Sequence, residues 1–156
     1  MRTDSPQTIY RKDYTPPSFL VDSVELGFDL DPARTVVASR IHMRHNPAST
    51  SRSIELHGEH IELVQVRLNG KLLKPSQYKL TAGMLTIPKA PDDVLLEIET
   101  VLAPQDNTSL SGLYVSNHNF FTQCEAEGFR RITFFPDRPD VMAKYTVMLR
   151  ADKEQY

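Results

Sequence analysis

The sequence predicts an all-β fold, a sandwich built from hairpins, in a single domain over residues 1–156. Three observations carry that prediction. Apolar residues recur with a period of two along most of the chain, and sustained 3.6-residue periodicity is nearly missing. Turn signals interrupt the alternation about every eight to twelve residues, the spacing of short sandwich strands. The length suits one compact domain with room for a core and is short for two.

Taken in order, residues 1–20 carry Pro6, Pro16 and Pro17 among polar groups and read as an extended arm. Val24, Leu26, Phe28 and Leu30 alternate with Ser23, Glu25, Gly27 and Asp29, a half-buried strand. Asp31-Pro32-Ala33-Arg34 makes a turn with Pro32 at the type I position. Thr35 to Arg44 is the second strand, with Val37, Ser39, Ile41 and Met43 on one face, and the two form a hairpin. Asn46-Pro47 and Ser49-Thr50-Ser51 open a loop, followed by a short strand at Ser53 to Leu56 and a second loop at His57 to His60. Glu62 to Leu68 is a strand, and Asn69-Gly70 after it is the clearest hairpin signal in the chain. Leu72–Leu73, Tyr78–Leu80, an Ala82-Gly83 turn and Met84–Ile87 continue the pattern. Val94 to Val101, mostly apolar, reads as a central strand. Asn107 to Asn119 reads as a polar loop, Val141 to Tyr145 as a helical turn, and Tyr145 to Ala151 as a closing strand. No Gly or Pro follows that strand, and the chain is read as a piece of a longer one.

Composition removes several function classes. With 40% hydrophobic and 24% charged residues the chain matches a soluble globular protein. A net charge of -2, with no basic stripe among aromatics, gives no footprint for nucleic acid or an anionic membrane. No apolar run approaches the ~20 residues of a membrane span, and Met1 to Pro17 lacks the apolar stretch of a signal peptide. Cys124 is the lone cysteine, so no internal disulfide forms. The expected address is the cytoplasm.

Chemistry-bearing residues are sparse. His57-Gly58-Glu59-His60 has zinc-ligand types, yet its histidines are three apart, with Gly58 between, outside any helical pattern. It reads as an exposed polar loop, His42 and His45 read as surface groups, and no metal ligands or catalytic residues are expected. Cys124, alternating with Thr122 and Ala126, reads as an inert buried thiol. The segment Thr122 to Gly128 stands apart. Read as a strand, it sets Gln123, Glu125 and Glu127 on one face, a patch of acceptors suited to an ammonium group. A solvated edge face stays open on spacing alone.

The run Thr122-Gln123-Cys124-Glu125-Ala126-Glu127-Gly128-Phe129-Arg130-Arg131-Ile132-Thr133, with Asp137-Arg138-Pro139-Asp140-Val141 after it, resembles bacterial members of the zinc-dependent gluzincin aminopeptidase family. Tyr10-Arg11-Lys12-Asp13-Tyr14, Phe28-Asp29-Leu30, Leu68-Asn69-Gly70 and Leu110-Ser111-Gly112-Leu113-Tyr114 extend the resemblance over nearly the whole chain. It implies a saddle-like antiparallel β-sandwich, the first domain of a larger enzyme, packed against a thermolysin-like catalytic domain of the same chain. It also implies that Gln123 and Glu125 help bind the α-amino group of a peptide substrate. Glu127 receives no role from the resemblance. The family's G-A-M-E-N and H-E-x-x-H segments lie downstream and are missing here, so zinc is expected in the full-length enzyme and none in this piece. A stand-alone interaction module, binding a basic protein segment on its acidic face, is the rival expectation. A reading frame that continues into H-E-x-x-H separates the two.

Overall fold

The computed structural model describes Thr8, residues 10–154 and Tyr156. The part of the predicted arm at residues 1–7 and 9 lies outside the described residues. The described residues form eleven strands: β1 (Phe19–Asp29), β2 (Thr35–His45), β3 (Ile54–His57), β4 (Glu62–Leu68), β5 (Lys71–Leu72), β6 (Lys79–Thr81), β7 (Met84–Ile87), β8 (Asp93–Leu102), β9 (Gly112–Ser116), β10 (Asn119–Gln123) and β11 (Lys144–Arg150). A six-stranded sheet runs β11-β1-β2-β8-β4-β5, beside a three-stranded sheet β3-β7-β6 and the hairpin β10-β9. This is the expected all-β architecture, with antiparallel pairing throughout except between β1 and β11.

Local chemistry explains the elements. The β1–β2 turn is closed by Asp31, whose Oδ1 accepts from the N–H groups of Ala33 and Arg34 at 2.8 Å each. Thr35, the first residue of β2, donates its hydroxyl to the Asp31 carbonyl at 2.8 Å. Asn69 and Gly70 take φ values of 49° and 76° between β4 and β5, the left-handed pair a two-residue hairpin turn needs. Asn69 also ties that turn to the central strand, exchanging hydrogen bonds with the backbone of Leu95. The buried faces follow the alternation: Val37, Ile41 and Met43 from β2 and Val94, Leu96 and Ile98 from β8 enter one apolar cluster. Ile54, Leu56, Leu85 and Ile87 from the small sheet, and Ile132, Phe134 and Phe135 from the chain after β10, complete it.

The buried hydroxyls between the large sheet and the segment after β10 are paired, as burial favours. The hydroxyls of Ser39 and Thr133 share a hydrogen bond of 3.1 Å, and Thr100 donates to the Ile132 carbonyl at 3.1 Å. These bonds hold residues 132–133 against the large sheet. The described end of the arm contains a 3-10 turn at Arg11–Asp13 and is fastened at Tyr14, whose hydroxyl donates to Asp140 at 3.0 Å. Arg138 grips the same carboxylate with two donors and reaches the Thr15 carbonyl at 2.8 Å.

Four local expectations are corrected. β1 begins at Phe19, before the alternating run, with a register shift between Val21 and Ser23. Residues 107–119 contain a strand, β9, hidden in sequence by polar neighbours. No helical turn forms at Val141 to Tyr145; too few residues lie between Pro139 and the pairing of Lys144 with Ser23 to nucleate one. The closing strand exists but is exposed along its whole length. Its register sets Tyr145, Val147 and Leu149 beside Val24, Leu26 and Phe28, on the core side of the sheet. Yet they remain 49%, 53% and 64% exposed. An open apolar trough of about 380 Å³ lies there, between β11 and the β9–β10 hairpin, with Cys124 in its wall.

Candidate functional site

Asn117 and His118, with φ values of 47° and 64°, turn β9 back into β10. Pairing continues to Gln123 opposite Gly112, and there the ladder stops. The strand expected over Thr122 to Gly128 therefore ends at its second residue, and the rest is a turn. The Gly128 N–H donates to the Cys124 carbonyl at 2.9 Å. Gln123 reaches across with its Nε2, which donates to the main-chain oxygen of Glu125 at 3.0 Å. The Glu125–Ala126 peptide is cis, and Glu127 has a φ of 62°. The shared faces expected from alternation do not exist: Thr122 and Ala126 are exposed, and Cys124 alone of that set is half-buried. Burial, aided by Asp137, pushes its thiol pKa up.

Two glycines let the turn close on the hairpin. A Cβ on Gly128 would lie 2.5 Å from the Gln123 carbonyl oxygen and 2.8 Å from Cys124 Cα. Gly112, at φ +80°, would meet Arg131 Cβ at 2.5 Å. A 3-10 turn at Phe129–Arg131 follows directly.

Beneath the turn lies Arg130, its side chain only 10% exposed. Its Nε donates to Asp137 Oδ2 at 2.9 Å, its main-chain N–H to the same oxygen at 3.1 Å, and its Nη2 to the Asp137 carbonyl at 2.9 Å. The remaining edge of the guanidinium faces Glu127 at 3.5 Å and Glu59 at 3.7 Å. Arg131 pairs with Glu59 at 3.4 Å and donates to Ser109 at 2.8 Å. Glu59, Glu127 and Asp137 are thus all engaged by arginines. Among the described residues the Glu125 carboxylate takes no such partner and stands exposed at the tip. Sequence reasoning reached Gln123 and Glu125 but missed this support. Arg130 and Asp137 entered that reading only as members of the runs that carry the resemblance.

His57 is also corrected. It belongs to β3, half-buried, bridged through its backbone to Phe135, and Gly58 after it is buried. Burial first, then the positive charge of Arg130, lowers its pKa below the ordinary 6.5. His45 packs edge-on against Phe19, with ring centroids 5.5 Å apart. Among the described residues no group of three or more His, Cys, Asp or Glu converges in a way that could hold a metal ion.

The fold and the turn together define a β-sandwich domain that presents one carboxylate from a braced, exposed loop. The chain belongs to the Peptidase M1 N-terminal domain family, whose pattern matches residues 21–156. It is 43% identical over 152 residues to aminopeptidase N of Caulobacter vibrioides, covering 97% of this chain and 18% of that protein. With aminopeptidase N of Escherichia coli it shares 40% over 154 residues, 99% of this chain and 17% of that protein. Among solved structures, Legionella pneumophila aminopeptidase A in complex with aspartic acid superposes with a TM-score of 0.86 at 33% identity, over 93% of this chain and 17% of that one. The M1 zinc metallopeptidase of Deinococcus radiodurans, 14% identical, shares the fold with a TM-score of 0.72 over 87% of this chain and 33% of its own. The chain therefore spans under a fifth of the curated relatives it matches.

Proposed function

We propose that this domain supplies part of the amino-terminal anchor of a zinc aminopeptidase, with Glu125 and Gln123 receiving the α-ammonium group of a peptide. One observation carries the reading. Four carboxylates cluster at this end of the sandwich, and Arg130 and Arg131 engage three of them, leaving Glu125 at the tip of a turn closed by its neighbours. An exposed anion held in place matches an ammonium, which brings three donors and a charge. Gln123 uses its amide N–H on Glu125, which leaves its Oε1 to accept a further donor.

In this reading the complete protein removes residues one at a time from peptide amino termini, and the anchor brings only the first peptide bond to the reacting centre. The described residues do not gather a ligand set for zinc. The metal, which in such enzymes polarises the scissile carbonyl and activates water, is assigned to polypeptide outside residues 1–156. The catalytic domain of the same chain is the expected neighbour of the uncovered face of β11, since contiguous exposed apolar surface marks an interface. Among the described residues no helix is long and apolar enough to cross a membrane. The unpaired thiol of Cys124 suits a reducing compartment, consistent with the proposed cytoplasmic address.

The test is Glu125→Ala in the full-length enzyme. A hydrogen bond to a charged group is worth about 1.5–3 kcal/mol, so kcat/KM on peptides with an unblocked amino terminus should fall about ten- to a hundredfold. Full activity in a normally folded variant refutes the anchor.

A further inference from the structure

We propose that Arg130 is a positioning residue for the amino-terminal anchor: its guanidinium sets the turn that carries Glu125, without touching the substrate. The inference rests on the anchor reading of Glu125 and extends it to a residue that the turn hides. Arg130 is one cation joining three segments that share little regular pairing. It holds the chain at Asp137 through three donors, Glu127 on the turn at 3.5 Å, and Glu59 at 3.7 Å. Its own carbonyl accepts from the Glu59 N–H at 2.9 Å, so the segment after β3 is tied to it twice.

Geometry links this clamp to the anchor. Glu127 is two residues from Glu125, and Gly128 closes the turn onto Cys124. A shift of the Glu127 end is therefore passed to Glu125 through a loop with little room to absorb it. Charge works in the same direction. Glu59, Glu127 and Asp137 surround Arg130, and losing the guanidinium would leave them repelling one another below Glu125. Only a planar, forked cation serves all of these partners at once. A lysine keeps the charge but presents a single ammonium on a flexible stem.

The experiment is a double-mutant cycle in the full-length, zinc-loaded enzyme, pairing Arg130→Lys with Glu125→Ala. Arg130→Lys alone should raise KM for unblocked peptides about tenfold and leave kcat within about twofold. On the Glu125→Ala background it should cost nothing more, because its effect passes through Glu125. Equal losses on both backgrounds, or an unchanged KM in Arg130→Lys, overturn the proposal. A Glu125→Ala variant that keeps full activity instead removes the anchor reading itself, so the two failures are separable. If Arg130→Lys does not fold, Glu127→Gln, which weakens the turn's link to Arg130, is read in the same cycle with the same two outcomes.

Discussion

The side-chain amide of Gln123 donates to the main-chain oxygen of Glu125 at 3.0 Å, across the point where β10 leaves its sheet. The two residues are therefore coupled by a bond that folds the chain, and their side chains do not lie on a common strand face. The coupling turns a flexible acidic loop into a defined one. Each added restraint reduces the entropy lost when a ligand is held there.

Gly128 is the tightest point of that loop. Gly128→Ala places a methyl group 2.5 Å from the Gln123 carbonyl, an overlap expected to cost about 1–3 kcal/mol of stability. Gly27→Ala is the control, because a Cβ there meets its nearest neighbours at 3.9 Å. Denaturant unfolding of the two variants should show a clear loss for the first and a change within about 0.5 kcal/mol for the second. Equal midpoints contradict the close approach.

His57 makes stability depend on pH with a definite sign. Its folded pKa lies below 6.5, chiefly through burial and then through Arg130, against partial compensation by Asp137 and Glu127. Between the folded value and 6.5 the unfolded chain binds more protons, so stability rises with pH across that window. Acidification from pH 7 should therefore destabilise the domain just below pH 6.5, and His57→Gln should flatten that part of the curve. Superimposable curves for variant and parent would show that His57 does not contribute.

Cys124 lines the apolar trough with a thiol pKa raised by burial. Native protein at neutral pH should react with a thiol reagent at least about tenfold more slowly than denatured protein, because the thiolate is the nucleophile. Native labelling as fast as that of the denatured chain would place the sulfur in solvent and move the turn with it.

Much of the sandwich was legible because local chemistry and burial agree. In β2 the alternation of Val37, Ser39, Ile41 and Met43 coincides with a buried face, and Asn69-Gly70 supplies its turn's left-handed conformation. The β9–β10 turn needs the same conformation from Asn117 and His118, and His118 lacks the glycine signal that would have announced it. The Gln-Cys-Glu-Ala-Glu run imitates a strand, but its alternation reflects side chains exposed on a turn. What fixes that turn is Gly128 and a buried arginine supplied from farther along the chain. β11 misleads in the opposite way. Its apolar face points to the core side, where Tyr145 meets the rings of Phe129 and Phe135, yet Val147 and Leu149 stay 53% and 64% exposed. The candidate residues Gln123 and Glu125 came from resemblance, whereas the clamp beneath them depends on contacts between separate loops, which no spacing rule expresses.

The central claim is that Glu125 reads the charge of the substrate's α-amino group. The most direct measurement compares kcat/KM for an unblocked peptide with that for the same peptide lacking its α-amino group, in the full-length enzyme and in Glu125→Gln. The variant keeps the shape of the side chain and removes its charge. If the anion holds the ammonium, the preference of the parent enzyme for the amine should fall at least about tenfold in Glu125→Gln, while activity on the substrate lacking the amine stays the same. An unchanged preference, in a variant that folds normally, would contradict the account.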